Sequence, residues 1–214
     1  GAIPALAQHG DVIFSDELNH ASLIDGCRLA RAAVRVFPHN DLDTLDAMLR
    51  EERDRYRRAL IVVEGVYSMD GDLCPLDRLV PLARRHNAWT YVDDAHGTGV
   101  LGDTGSGTIE HFGVKGEVDV VVGTLGKALG TAGAYVGGSQ ELVEYLVSTA
   151  RSFIFTTGSP PALAAATLEA LRIADVERWR RDAVRDRARR LRTKLAEGGI
   201  PMTGPEDSHI VPVI

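Results

Sequence analysis

The chain has 214 residues, 44% of them hydrophobic and 25% charged, with a formal net charge of −6. That balance excludes a disordered or fibrous chain, and the acidic charge argues against bulk affinity for nucleic acid. No apolar run reaches the ~20 residues of a membrane-crossing helix, and Cys27 and Cys74 stand far apart in no metal-ligand spacing, as reduced thiols of a cytoplasmic protein would.

Apolar, β-branched runs predict strands over Val12–Ser15, Ala33–Phe37, Leu60–Glu64, Thr90–Asp93, Val118–Gly123, Ala134–Val136 and Ile154–Thr156. Helices are predicted over Ala21–Ala30, Asp41–Tyr56, Leu76–His86, Ser139–Arg151, Pro161–Ala174 and Val176–Glu197. Strands that alternate with helices and lack polar alternation imply an α/β fold with a mainly parallel, doubly wound sheet covered on both faces. Ala134–Val136 follows its neighbour through a short Gly-rich link, too short for a crossover helix, so it is expected to run antiparallel.

The last helix is rich in arginine: residues 175–197 hold nine Lys/Arg and five Asp/Glu. Val176, Trp179, Ala183, Leu191 and Leu195 recur near the helical period and predict its apolar face, leaving a solvated charged face opposite. Gly198-Gly199 then reads as a helix stop. Residues 1–198 are therefore expected to form one large domain, with a smaller domain starting over 199–214. The opening residues read as helix interior and His209–Ile214 as strand interior, so the chain is expected to be part of a longer protein.

Reactive side chains stand where an open α/β sheet delivers them, just past the carboxyl ends of strands. Asp93 ends a strand in Y-V-D-D-A-H-G-T-G, and Lys127 follows another in V-V-V-G-T-L-G-K-A-L-G. Two adjacent strand-end aspartates point to opposite sides, so one of Asp93 and Asp94 can face a site while the other caps the next turn. His96 lies three residues on, and Gly97 and Gly99 allow the backbone to bend closely around a ligand. Lys127, set among small and apolar residues, requires a partner or a chemical reason, and burial there would favour a nucleophilic amine. A nucleotide-hydrolase phosphate loop is disfavoured, because that motif needs glycine where Val121 stands and Ser or Thr where Ala128 stands. Ser68 and His20 also follow strands, and each alone reads as a turn or helix-start residue. Thr124 stands three residues before Lys127, where its hydroxyl can bond a phosphate. An amine and an acid so placed suit an aldehyde cofactor held by the lysine, with its pyridinium nitrogen held by the aspartate.

The strings D-E-L-N-H-A-S, E-G-V-Y-S-M-D-G-D, V-D-D-A-H-G-T-G-V-L-G and G-T-L-G-K-A-L-G together resemble the α-oxoamine synthases. These are pyridoxal-phosphate enzymes of the aspartate-aminotransferase fold, and the resemblance runs from about Ala2 to Ile214. It implies that Lys127 is the Schiff-base lysine and catalytic base, that Asp93 partners the ring nitrogen, and that His96 and Ser68 stand at the phenolic oxygen. It further implies that His20 stacks on the ring and assists catalysis, that Thr124 contacts the phosphate, and that Thr157 reaches the phosphate of a neighbouring subunit in a homodimer. No metal is implied. The strings D-D-A-H-G-T-G-V and F-T-T-G-S-P-P point to the branch that condenses L-alanine with a pimeloyl thioester, carried by coenzyme A or a carrier protein, in biotin biosynthesis. Branches that use glycine or serine share the cofactor chemistry, and a non-catalytic domain on this fold is the reading of a different class. The family's Gly-aromatic cofactor turn is expected before Gly1, and its substrate-carboxylate arginine and substrate threonine beyond Ile214.

Overall fold

The apolar runs become strands β1 (Val12–Asp16), β2 (Ala33–Phe37), β3 (Ala59–Glu64), β4 (Trp89–Asp93), β5 (Val120–Thr124) and β6 (Ala134–Gly138). In the structure, a computed structural model of residues 1–214, they form one sheet in the order β2-β1-β3-β4-β5-β6. The first five are parallel and β6 pairs antiparallel to β5, as the short glycine link requires.

Period-two alternation splits each strand between two cores. Val12 and Phe14 of β1, and Ile61 and Val63 of β3, pack against Leu45 and Leu49 of α3 (Leu42–Glu52) and Leu76 and Leu79 of α4 (Leu76–Arg85). Ile13, Leu60 and Val62 face the other way. They meet Ile3 and Leu6 of α1 (Ala2–Leu6), Leu23 of α2 (Ala21–Leu29) and Leu146 of α6 (Gln140–Thr149). Each such fully buried aliphatic side chain contributes roughly 1.5–3 kcal/mol. Polar side chains set the helix starts: Asp41 accepts from Thr44 N–H at 2.9 Å, and Ser139 accepts from Leu142 N–H at 3.2 Å. No helix is long and apolar enough to cross a membrane.

Three expectations need correction. Ile154–Thr156 is not a strand. After α6 the chain makes a short helix, α7 (Arg151–Ile154), and Phe155 N–H donates to Arg151 O. The run has no ladder partner, and Phe153 and Phe155 are 59% and 72% exposed; apolar content alone does not distinguish a strand from a turn of helix. The last two helices, expected over Pro161–Ala174 and Val176–Glu197, are α8 (Pro161–Val176) and α9 (Trp179–Glu197), so the break between them falls at Glu177–Arg178 rather than at Asp175. The apolar stripe expected on the last helix is not its buried face: Val176, which ends α8, and Trp179 and Leu191 of α9 are exposed, while Arg181, Ala188 and Arg192 are buried. Loop carbonyls explain the inversion, because they need donors more than the aliphatic chains need cover. Arg181 donates to Ala174 O and Asp103 O, and Arg192 donates to the carbonyls of Thr203, Gly204, Ser208 and Ile210. The segment so gripped folds back as a Met202–Val213 bridge and packs on the Asp70–Gly71 turn.

Candidate active site

Parallel strands that end together bring their next residues together. Read in sheet order, the carboxyl edge presents His39 after β2, Asp16 on β1, Glu64 on β3, Asp93 on β4 and Thr124 then Lys127 from β5. The chemistry predicted for two strand ends is thus part of a row of titratable groups. A cavity of about 1140 Å³ lies at the other end of β4 and β5, against Trp89, Thr90 and Asp119.

Lys127 is exposed rather than buried, and its Nζ lies 2.8 Å from Nε2 of His96. Burial, the charge of Lys127, and the nearby His209 and His20 pull His96 down to about 4. The ring is therefore neutral near pH 7, so Lys127 donates and Nε2 accepts. Asp93 accepts from Ala95 N–H at 3.1 Å. Burial raises its pKa, while the Ala95 bond and the positive charges of Lys127 and His20 oppose that rise. Asp93 and Lys127 feel one another's charge but form no ion pair, which leaves a space flanked by an acid and an amine.

Asp94 takes the other role expected for the pair. It is fully buried and accepts from Thr108 N–H and Thr108 Oγ1–H, both at 2.8 Å, tying β4 to the start of the short helix α5 (Thr108–His111). Its carboxyl fills the space that side chains at Gly65, Gly97 and Gly107 would occupy. The missing Cβ of Gly97 therefore makes room for Asp94, whereas Gly99 adopts φ +81° in the turn that carries His96.

His20 caps α2 through its ring, with Nδ1 accepting from Ser22 N–H at 3.2 Å, and its own N–H donates to Glu64 Oε1 at 2.5 Å. Ser68 is half-buried on a turn closed by Gly71 N–H to Tyr67 O at 2.8 Å. Thr124 Oγ1 accepts from Gly126 N–H at 3.3 Å and donates to Gly133 O at 3.2 Å. Asp93, His96, Lys127 and His20 are thereby grouped, with Ser68 and Thr124 on the flanking turns. Thr157 lies in the exposed segment between α7 and α8 and bonds none of them.

Sequence reasoning missed two members of this region. Glu64, an acid at a strand end like Asp93, carried the same signal. Burial first, with Asp93 and Asp16 adding, pushes it up to about 7 against the opposing His20 bond and Lys127. His209 gave no local signal. It arrives only because Arg192 brackets it through Ser208 O and Ile210 O, and its Nδ1 is buried without a partner.

The sequence profile of the family described as aminotransferase class I and II matches residues 1–214. The chain is 48% identical over 214 residues to an 8-amino-7-oxononanoate synthase of Symbiobacterium thermophilum, an alignment covering 100% of this chain and 54% of that protein. Among solved structures it is similar to a serine palmitoyltransferase from S. paucimobilis with bound PLP and myriocin, with TM-score 0.93, 35% identity, and coverage of 100% of this chain and 55% of that one. It is also similar to an 8-amino-7-oxononanoate synthase from Francisella tularensis, with TM-score 0.77, 30% identity, and coverage of 93% and 57%. The chain spans about half the length of the curated relatives it matches.

Proposed function

The chain belongs to the aminotransferase class I and II family, and from that premise we propose that it supplies the cofactor-binding domain for PLP-dependent condensation of L-alanine with a pimeloyl thioester, giving 8-amino-7-oxononanoate for biotin biosynthesis. One observation carries the reading: Asp93, His96 and Lys127 converge from the carboxyl ends of the neighbouring strands β4 and β5, yet the acid and the amine do not pair. A free amine, an unpaired carboxyl and a neutral imidazole fit the aldehyde, the ring nitrogen and the phenolic oxygen of pyridoxal 5′-phosphate.

When bound, that cofactor supplies an aldehyde that takes the amino acid and a ring that withdraws electrons from its Cα. Lys127 would hold the aldehyde carbon and would move the proton at the substrate Cα. Asp93 would keep a proton on the ring nitrogen. His96 Nε2 and the Ser68 hydroxyl would bond the phenolic oxygen, and the His20 ring would lie against the cofactor. The Thr124 hydroxyl and the Gly126 turn hold the phosphate, joined by Thr157 from a second copy of the chain. That last role accounts for a polar residue exposed beside the apolar Phe153–Phe155 run, and it makes the working unit a homodimer. Residues 1–198 form the large domain of this unit and residues 199–214 lead into the small one, whose groups complete the substrate site.

The test is a thiol-release assay on the full-length protein, offering L-alanine, glycine or L-serine with pimeloyl-coenzyme A. Rapid release with L-alanine alone is expected. Preference for glycine or serine would move the chain to a sister branch, and release with none of them, despite bound cofactor, would refute the condensation.

A further inference from the structure

Glu64 is, with Asp16, a strand-end acid that the roles above leave unused. It is the last residue of β3, stands in register with Asp93 of β4, and is 4% exposed. The flanking strand ends carry carboxyls on both sides. Asp16 of β1 is held by His39 Nδ1 at 3.0 Å, Leu18 N–H at 2.9 Å and Asn40 N–H at 2.9 Å. Asp93 has the Ala95 amide. The one hydrogen bond to the Glu64 side chain comes from His20 N–H at 2.5 Å, across 44 residues of chain. The same His20 is fixed from the other side, because Leu23 and Ile24 N–H donate to its carbonyl and its ring caps α2. Residue 20 is therefore held between the sheet edge and a helix start, and Glu64 is its only tie to the sheet edge through the backbone N–H.

Resting on the reading of this site as a PLP site, we propose that Glu64 is a positioning residue: its carboxyl seats the His20 peptide, and so sets where the His20 imidazole stands relative to Asp93 and Lys127. The groups facing it are Asp93 from β4, Asp16 from β1, Lys127 from the loop after β5 and His20 from the start of α2. Carboxyls side by side in a dry setting do not all ionise readily; burial, with Asp93 and Asp16 adding, pushes Glu64 up to about 7, so below that pH Glu64 carries the proton. Glu64 accepts the His20 amide through its carbonyl oxygen in that state. As pH rises through about 7 it ionises and adds a negative charge beside Asp93.

The experiment compares PLP affinity, melting temperature and the pH titration of the visible PLP band in the full-length protein and in Glu64→Gln, Glu64→Ala, His20→Ala and the Glu64→Ala/His20→Ala double variant. Glu64→Gln keeps the carbonyl seat but cannot ionise. It is expected to bind PLP within about threefold of the parent and to lose the part of the titration centred near pH 7. Glu64→Ala is expected to weaken PLP about tenfold, and adding it to His20→Ala should weaken binding by less than about threefold more, because both changes remove the same seated ring. Multiplicative losses in the double variant, or a Glu64→Gln titration that superimposes on the parent between pH 6 and 8, would overturn the inference while the PLP site stood. If the parent protein binds no PLP, the site reading fails and this inference falls with it.

Discussion

Asp94→Ala is expected to cost the fold about 3–5 kcal/mol, a figure built from two stranded donors at about 1–3 kcal/mol each plus the void left by the carboxyl. Thr108 N–H and the Thr108 hydroxyl, both 2.8 Å from Asp94, would lose their acceptor where the residue is 0% exposed. The void would open among Gly65, Gly97 and Gly107, none of which has a side chain to fill it. In a domain of this size each kcal/mol moves the melting temperature by about 2–4 °C, so a drop of about 10 °C is expected. Asp94→Asn is the control: its carbonyl can take the amide of Thr108 while its NH₂ donates to the hydroxyl, so at or below about pH 4, where the parent carboxyl is neutral, it should stay within about 1 kcal/mol of the parent. The pair also has a pH signature. Burial first, with the charge of Asp93 adding, pushes Asp94 to about 7 despite its bonds to Thr108 and Gly97. A carboxyl raised in the folded state adds stability that is fully present below its ordinary value near 4 and is lost as pH climbs through the folded value. The stability difference between parent and Asp94→Asn should therefore drift against the parent between pH 4 and about 7, by up to about 4 kcal/mol, and flatten above it. Urea unfolding across that range measures it. An Asp94→Ala melt within 3 °C of the parent, or a difference curve with no slope over that window, would refute the role given to this carboxyl.

Three other changes have defined outcomes. His39 bridges Asp16 Oδ1 at 3.0 Å and Asp72 Oδ2 at 2.7 Å; burial lowers its pKa but those two bonds outweigh it and hold it above the ordinary value. Its stabilising charge is present below about pH 6.5 and lost above its folded pKa, so His39→Leu should cost about 2–4 kcal/mol by urea unfolding at pH 5.5 and clearly less at pH 9. Arg192→Met removes the donor for four loop carbonyls, and hydrogen exchange should accelerate over residues 203–210 while β1 to β5 stay protected, with a loss of about 2–4 kcal/mol by chemical unfolding. Leu45→Ala, at a fully buried core position between α3 and the sheet, should cost about 2–5 kcal/mol in the same assay.

The parallel sheet was legible because its strands are continuous apolar runs buried on both faces, and because reactive residues follow the strands rather than interrupt them. Asp93, His96 and Lys127 were singled out for that reason, and the fold brings them together at the ends of β4 and β5. What escaped the sequence depended on contacts far apart in the chain. Gly97 suggested room for a ligand, yet the Asp94 carboxyl takes that room. Ile154–Thr156 has strand composition but no strand beside it to pair with. The face of α9 was misjudged because the donors of Arg181 and Arg192 answer loop carbonyls that no local pattern announces. Glu64 was within reach, being an acid at the end of an apolar run, but its partner His20 lies 44 residues earlier, and only the β1–β3 pairing joins them. His209 was beyond reach, since its place beside His96 exists only once the last residues fold back onto the Ser68 turn.

The most direct measurement is the visible absorption spectrum of the full-length protein incubated with pyridoxal 5′-phosphate, before and after L-alanine, beside its Lys127→Ala variant. The parent is expected to show a band in the visible that L-alanine shifts, and Lys127→Ala is expected to lack that band before the amino acid is added. An unchanged band in Lys127→Ala would contradict the assignment of Lys127, and no band in the parent at saturating cofactor would contradict the site as a whole.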